Sequence, residues 1–221
     1  AVYNATDKCW DVNIKDAIFV RHLGEYLKER GIVKDVIFQE SLEDVNVWAD
    51  NMPDLAYPYK LKFEPYDYQK KGIQYMVEHK RTFNGDDMGL GKTFQSIAAV
   101  SIAKAYPCLV VCPAAMKMTW KREFMKFIGK NAVILDNDNK DNWQQMFITG
   151  TCNVFITNYE SMKKFFIRRI KGNRISVKNL VVDQRASIFK TVIIDESHRV
   201  KNSSCHYAKY LEAICKRKEY I

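Results

Sequence analysis

Two short segments combine residue types suited to phosphate and metal chemistry. The first is Gly85-Asp86-Asp87-Met88-Gly89-Leu90-Gly91-Lys92-Thr93, followed by a run of helical character. Gly89 and Gly91 let a backbone wrap closely around an anion with its N–H groups turned inward. A helix starting after Gly91 adds the partial positive charge of its N-terminus. Lys92 is long enough to reach terminal phosphates, and Thr93 carries a hydroxyl of the kind Mg2+ takes as a ligand. The general phosphate-loop pattern has a glycine where this chain has Asp86. The simpler alternative is a turn followed by a helix. The second segment, Thr191-Val192-Ile193-Ile194-Asp195-Glu196-Ser197-His198, ends an apolar run on two carboxylates. Asp195 suits Mg2+ held through water, and Glu196 suits orienting or deprotonating an attacking water. Alone, such a pair also marks a chain leaving its core for a loop. The two segments in this order point to a nucleotide–Mg2+ site with Lys92, Asp195 and Glu196 as its catalytic set.

The elements that position these residues follow from periodicity. Short apolar runs at 109–112, 133–135, 154–157 and 192–195 read as central strands of a parallel sheet. Helical spacing is expected at 68–80, 92–105, 116–128, 159–170 and 203–216. The alternation predicts an open sheet covered by helices, with the ligand beyond the carboxyl ends of the strands. Residues 218–221 read as a further strand beginning, and an apolar, uncapped end reads as a fragment. Ahead of this lobe, 2–3 and 9–14 flank a turn and predict a hairpin, followed by a helix at 16–30, a strand at 33–38 and a short helix from Ser41 through Trp48. A linker is expected at 50–62. The domains are therefore a small α+β module at 1–55 and an α/β lobe at 56–221.

Composition bounds the class. The chain has 221 residues, 47% apolar and 28% charged, ample for a packed core. No stretch approaches the roughly 18–20 apolar residues of a membrane helix, and no membrane partner is expected. The first residues lack the basic start and apolar region of a signal peptide. Six scattered cysteines read as reduced thiols in an intracellular protein, cytoplasmic if prokaryotic or viral and nuclear if eukaryotic. Residues 1–60 hold 7 basic and 11 acidic side chains, and the remainder holds 28 and 15. The basic lobe suits a polyanion partner, although solubility alone is the plainer reason for such charge.

The residues also carry a resemblance. Asp86-Asp87-Met88-Gly89-Leu90-Gly91-Lys92-Thr93 resembles the D-E-M-G-L-G-K-T loop of the Swi/Snf-type ATPases of helicase superfamily 2, which share the acid at the first glycine position. Asp195-Glu196-Ser197-His198-Arg199-Val200-Lys201-Asn202 resembles their D-E-A-H-R-[LI]-K-N box, with Ser197 similar to the annealing-helicase branch. Pro65-Tyr66-Asp67-Tyr68-Gln69-Lys70-Lys71-Gly72 resembles L-R-P-Y-Q-x-x-G with one extra residue before Tyr68. Leu109-Val110-Val111-Cys112-Pro113 with Trp120-Lys121-Arg122-Glu123-Phe124 resembles motif Ia and the W-x-x-E-[FL] after it, and Val154-Phe155-Ile156-Thr157-Asn158-Tyr159-Glu160 resembles V-x-I-T-T-Y-E.

The resemblance covers residues 61–221 and implies a RecA-like P-loop lobe of an ATPase that is stimulated by, and moves along, double-stranded or forked DNA. It implies ATP and Mg2+ as cofactors and a second RecA-like lobe of the same protein that supplies arginines for hydrolysis. The lobe alone is then expected to bind nucleotide with little turnover. Gln69 inherits adenine reading, Asp87, Met88, Gly89, Leu90, Gly91, Lys92 and Thr93 nucleotide binding, Thr93 and Asp195 the metal, and His198 coupling between motifs. Pro113 and Thr157 match positions near the tracked strand. A strand-separating helicase and a nucleotide-gated DNA-binding scaffold are the alternatives.

Between Ser161 and Val182 the chain has seven basic residues and no acid, with Lys163, Lys164, Arg168, Arg169 and Lys171 leading. We expect this stretch, with Lys117, near the DNA backbone; a solvated helix face over core Phe165 and Phe166 is the plainer alternative. Tyr3 and Trp10 resemble the small HARP-type module of annealing helicases, and a packing appendage is the alternative. Met116, Met118 and Met125 are expected to fill core. Cys205, His206 and Cys215 lack a fourth partner for zinc.

Overall fold

The computed structural model describes the backbone of residues 2–4 and 9–11 and the whole of residues 61–221. The chain divides into two units, Ala1–Asp54 and Leu55–Ile221. In the first, β1 (Val2–Asn4) pairs antiparallel with β2 (Cys9–Asp11), with Tyr3 opposite Trp10. The expected helices at 16–30 and 41–48, the strand at 33–38 and most of the linker lie outside the described residues.

The second unit runs α1 (Asp67–His79), α2 (Lys92–Ile102), β3 (Cys108–Cys112), a 3-10 turn (Ala114–Met116), α3 (Lys117–Ile128), β4 (Val133–Ile134), α4 (Trp143–Ile148), β5 (Val154–Asn158), α5 (Met162–Phe166), β6 (Ile167–Ile170), β7 (Leu180–Val182), β8 (Thr191–Ile194) and α6 (His206–Cys215). Strands β4-β5-β3-β8 form a parallel sheet in that order.

Alternation along each strand sends side chains to opposite faces. Leu109, Val111, Phe155 and Val192 join Trp143, Phe166, Phe189 and Leu211 in one core, so α4, α5 and α6 cover that face. Cys108, Val110, Val154 and Ile156 join Ile97, Trp120 and Phe124, so α2 and α3 cover the other. Apolar residues on both faces explain why these strands read as continuous hydrophobic runs. The result is the mixed α/β, RecA-like P-loop architecture.

The sheet continues through backbone pairing. Tyr220 bridges Thr191 in parallel, Val192 N–H donates to the Tyr220 carbonyl at 3.0 Å, and Thr82 N–H donates to the Ile221 carbonyl at 3.0 Å. The segment before the glycine loop therefore lies two positions from β8, with the chain's last residues between them, about 10 Å away at ordinary strand spacing.

Two expectations are corrected. Residues 159–170 do not make one helix. A 3-10 turn and the short α5 lead into β6, which pairs antiparallel with β7. The register slips between Ile167 and Arg169, a bulge that leaves Arg168 and Arg169 both exposed beside buried Ile167. The methionines are not core: Met116, Met118 and Met125 are exposed, because α3 buries Trp120 and Phe124. Cys108, Cys112, Cys152, Cys205 and Cys215 are free thiols, and no group of three or more metal-binding side chains occurs among the described residues. No described helix is long and apolar enough to cross a membrane.

Candidate functional site

The register aligns Cys112 with Asn158 and Val111 with Ile194, so Pro113, Tyr159 and Asp195 leave the sheet at the same end. The parallel pairing of 80–82 with Ile221 points the following loop toward that end too. β3 is also where the strand order turns from β5 toward β8, the kind of point where open α/β sheets bind ligands.

The loop is shaped by glycine and braced by two glutamines. Gly91 sits at φ +79° as the N-cap of α2, a left-handed conformation that disfavours a side chain. A Cβ there would also meet Gln69 Nε2 at 2.5 Å. Gln69 Nε2 donates to the Leu90 carbonyl at 3.1 Å, while its Oε1 accepts the Tyr66 N–H at 3.1 Å, tying the start of α1 to the loop. The Leu90 carbonyl also accepts from the Tyr68 hydroxyl at 3.4 Å and from Gln95 Nε2 at 3.3 Å. Lys92 Nζ donates to the carbonyls of Asp86 and Asp87 at 2.6 and 2.9 Å. Thr93 is half-buried in the first turn of α2, and Asp87, Met88, Gly89 and Leu90 are exposed.

The acidic segment is held from several sides. Asp195 N–H donates to the Val111 carbonyl at 2.9 Å, and Asp195 Oδ2 accepts the Trp120 indole N–H at 2.8 Å. The Tyr159 hydroxyl donates to the Asp195 carbonyl. Burial first, and the nearby Asp195 charge second, raise the Tyr159 hydroxyl well above its ordinary range, so it stays a donor. Glu196 takes the left-handed conformation, φ +53°, and its carboxylate lies 3.1 Å from His198 Nδ1. Arg199 reaches Glu160 at 3.4 Å and lies 5.6 Å over the Tyr159 ring. The Asn158 amide, more than Arg199, holds the Glu160 carboxyl below its usual range.

These donors fit the groups expected. An 11-residue helix begins at the loop, an open place for anionic oxygens, and Lys92 is poised beside it. Thr93 and Asp195 offer hard oxygen ligands, and Mg2+ is commonly held by a carboxylate together with substrate phosphates and water.

The profile of the SNF2-related domain matches residues 68–221. The chain belongs to this family. The SNF2-related chain is 30% identical over 158 residues to a probable ATP-dependent DNA helicase, CHR23, of Arabidopsis thaliana, covering 65% of this chain and 13% of that protein. It is 26% identical over 220 residues to the Caenorhabditis elegans homolog of SWI/SNF-related matrix-associated actin-dependent regulator of chromatin subfamily A-like protein 1, covering 94% of this chain and 28% of that one. It therefore spans little more than a quarter of these relatives at most. Among solved structures it resembles the Sulfolobus solfataricus SWI2/SNF2 ATPase core in complex with dsDNA, with TM-score 0.55 and 23% identity, over 76% of this chain and 33% of that one.

Among the residues proposed to meet DNA in this SNF2-related lobe, Lys163, Lys164, Arg168, Arg169 and Lys171 are exposed, while Pro113 and Lys117 are half-buried. Thr157, near the end of β5, is fully buried, as are its neighbours Phe155 and Ile156.

Residues unnoticed in the sequence also shape the site. Gln95 is fully buried; its Nε2 donates to Asp86 Oδ2 at 2.7 Å, and its Oε1 accepts from Asn84 at 3.4 Å. Asp86 thus has a structural use where other phosphate loops have glycine. Gly72 makes room for this amide, since a Cβ there would meet Gln95 Oε1 at 2.3 Å. One polar residue inside the apolar run of α2 was the available signal. Gly72→Ala is expected to destabilise the lobe by about 1–3 kcal/mol through overpacking and to weaken nucleotide binding, as read by urea unfolding and a nucleotide titration.

Proposed function

We propose that this lobe binds ATP with Mg2+ and, with a second lobe, drives movement of the full-length protein along double-stranded DNA, remodelling DNA or protein–DNA complexes. The observation that carries the reading is the convergence of the glycine loop and the acidic segment on one end of the sheet, with Lys92 and Thr93 on the loop and Asp195 and Glu196 at the end of β8. In this reading Lys92 exchanges its two carbonyl partners for phosphate oxygens, and Thr93 and Asp195 hold Mg2+. Glu196 acts on the attacking water, Gln69 reads adenine, and His198 couples nucleotide state to neighbouring motifs. ATP and Mg2+ would supply the transferable phosphoryl group and the charge that offsets it. Arginines from the second lobe would add about 10³–10⁵ in rate.

The DNA partner is supported by the exposed cations of α5 and the β6–β7 hairpin. Exposed Lys and Arg suit sequence-independent phosphate contacts. The N-terminal unit is proposed as a HARP-type module, a reading that rests on the resemblance carried by Tyr3 and Trp10, which stand opposite each other in the β1–β2 hairpin; a packing appendage is the alternative.

The test is ATP hydrolysis by the full-length protein with no DNA, duplex, forked and single-stranded DNA. Stimulation by duplex or fork without strand separation is expected. Strand separation would favour the helicase alternative, and nucleotide-dependent DNA binding without turnover would favour the scaffold. Arg168→Ala with Arg169→Ala is expected to weaken duplex binding evenly across sequences. It should also reduce the slope of log K against log salt by about 0.9 for each phosphate that the protein no longer neutralises. An unchanged slope would remove the hairpin from the DNA interface.

A further inference from the structure

Asp195 is fastened at three points by three separate elements: its N–H to β3, its carbonyl to the Tyr159 hydroxyl beyond β5, and its Oδ2 to the Trp120 indole on α3. The third bond differs in kind from the other two. An indole N–H only donates, and Trp120 is 3% exposed, so water is a poor substitute acceptor. Losing Asp195 would leave that donor buried and unpaired. The indole is itself lodged against Phe124, with ring centroids 6.2 Å apart, and within the core formed by Cys112, Val110 and Ile156. A fixed ring therefore holds one carboxylate oxygen, which restricts the rotation of Asp195 and leaves its other oxygen free of Trp120.

We infer that Trp120 is a positioning residue for the metal in the nucleotide site, with Tyr159 securing the backbone of the same aspartate. The inference rests on the proposed role of Asp195 as the metal-side carboxylate. Trp120 touches neither nucleotide nor ion in this scheme; it acts by holding Asp195 in one orientation before the ion arrives. Second-layer donors of this type commonly contribute 10–100-fold in metal affinity or activity.

The experiment uses Mn2+ as a paramagnetic substitute, titrated into the full-length protein with ADP, with free ion measured by electron paramagnetic resonance. Trp120→Phe is expected to weaken Mn2+ binding about 10-fold or more and to leave ADP binding in EDTA unchanged. Tyr159→Phe, which loses a bond to the carbonyl rather than the carboxylate, is expected to have a smaller effect. Unchanged Mn2+ affinity in folded Trp120→Phe would overturn the inference, as would an equal loss of ADP binding in EDTA, which marks general damage to the site. Should Trp120→Phe fail to fold, benzothienylalanine at position 120, which keeps the ring shape without the N–H, makes the same comparison. A wild-type protein that takes up no Mn2+ with ADP would instead overturn the assignment of Asp195, a result distinct from the first.

Discussion

Glu196→Gln in the full-length protein is expected to lower DNA-stimulated ATP turnover by about 10²–10⁴, the range of a positioned acid or base, while nucleotide still binds. Glutamine keeps the size and shape of the side chain but cannot accept a proton from water. Glu196 occupies a left-handed backbone conformation at the end of β8. Glutamine imposes no greater backbone restriction there, so the loop should keep its path. The partner contact with His198 at 3.1 Å would become a weaker, uncharged hydrogen bond. Lys92→Ala supplies the contrast. It removes the cation from the loop and is expected to abolish turnover together with much of the nucleotide affinity. Steady-state hydrolysis combined with a fluorescent-nucleotide titration separates the two. Turnover retained in Glu196→Gln would reject its role, and retained turnover in Lys92→Ala would reject the phosphate loop.

Trp143→Ala is expected to destabilise the lobe by about 3–5 kcal/mol, measured as the change in urea unfolding free energy. Trp143 is fully buried and at the centre of an aromatic group. Its ring stacks on Phe189 at 5.3 Å and meets Phe155 and Phe166 edge-on at 5.7 and 5.9 Å. The Arg185 guanidinium lies 5.5 Å over it, fastened to Asp183 at 3.0 Å. Alanine would leave a void bordered by three rigid rings, which cannot collapse to fill it. Trp143→Phe should cost much less. It keeps most of the packing and removes an indole N–H that is buried without a hydrogen-bond partner. Equal losses in the two variants would show that aromatic packing is not the source of the effect.

The elements of the sheet were legible because both-sided burial makes each central strand a short, uninterrupted apolar run, as at Leu109–Cys112 and Val154–Thr157. The glycine loop and the acidic pair were legible because phosphate and metal chemistry need few residue types at fixed spacing. The stretch after β5 was not. Ile167, Arg168, Arg169 and Ile170 satisfy a helical spacing as well as they satisfy a bulged strand, and only pairing with Leu180–Val182 decides between them. α4 was also missed, because its six residues make too short a period to read and its stability comes from Trp143 packing on distant rings.

Taken alone, the amino-acid order determined which side chains are chemically able to handle a nucleotide, and that they lie on an alternating α/β frame. The tertiary structure decided what holds them. Gln95 against Gly72, Trp120 on Asp195 and Tyr159 beneath Arg199 join residues far apart in the chain. Local periodicity reports which face an element buries, whereas hydrogen-bond partners depend on which elements meet across that face. That meeting is fixed only when the whole core closes.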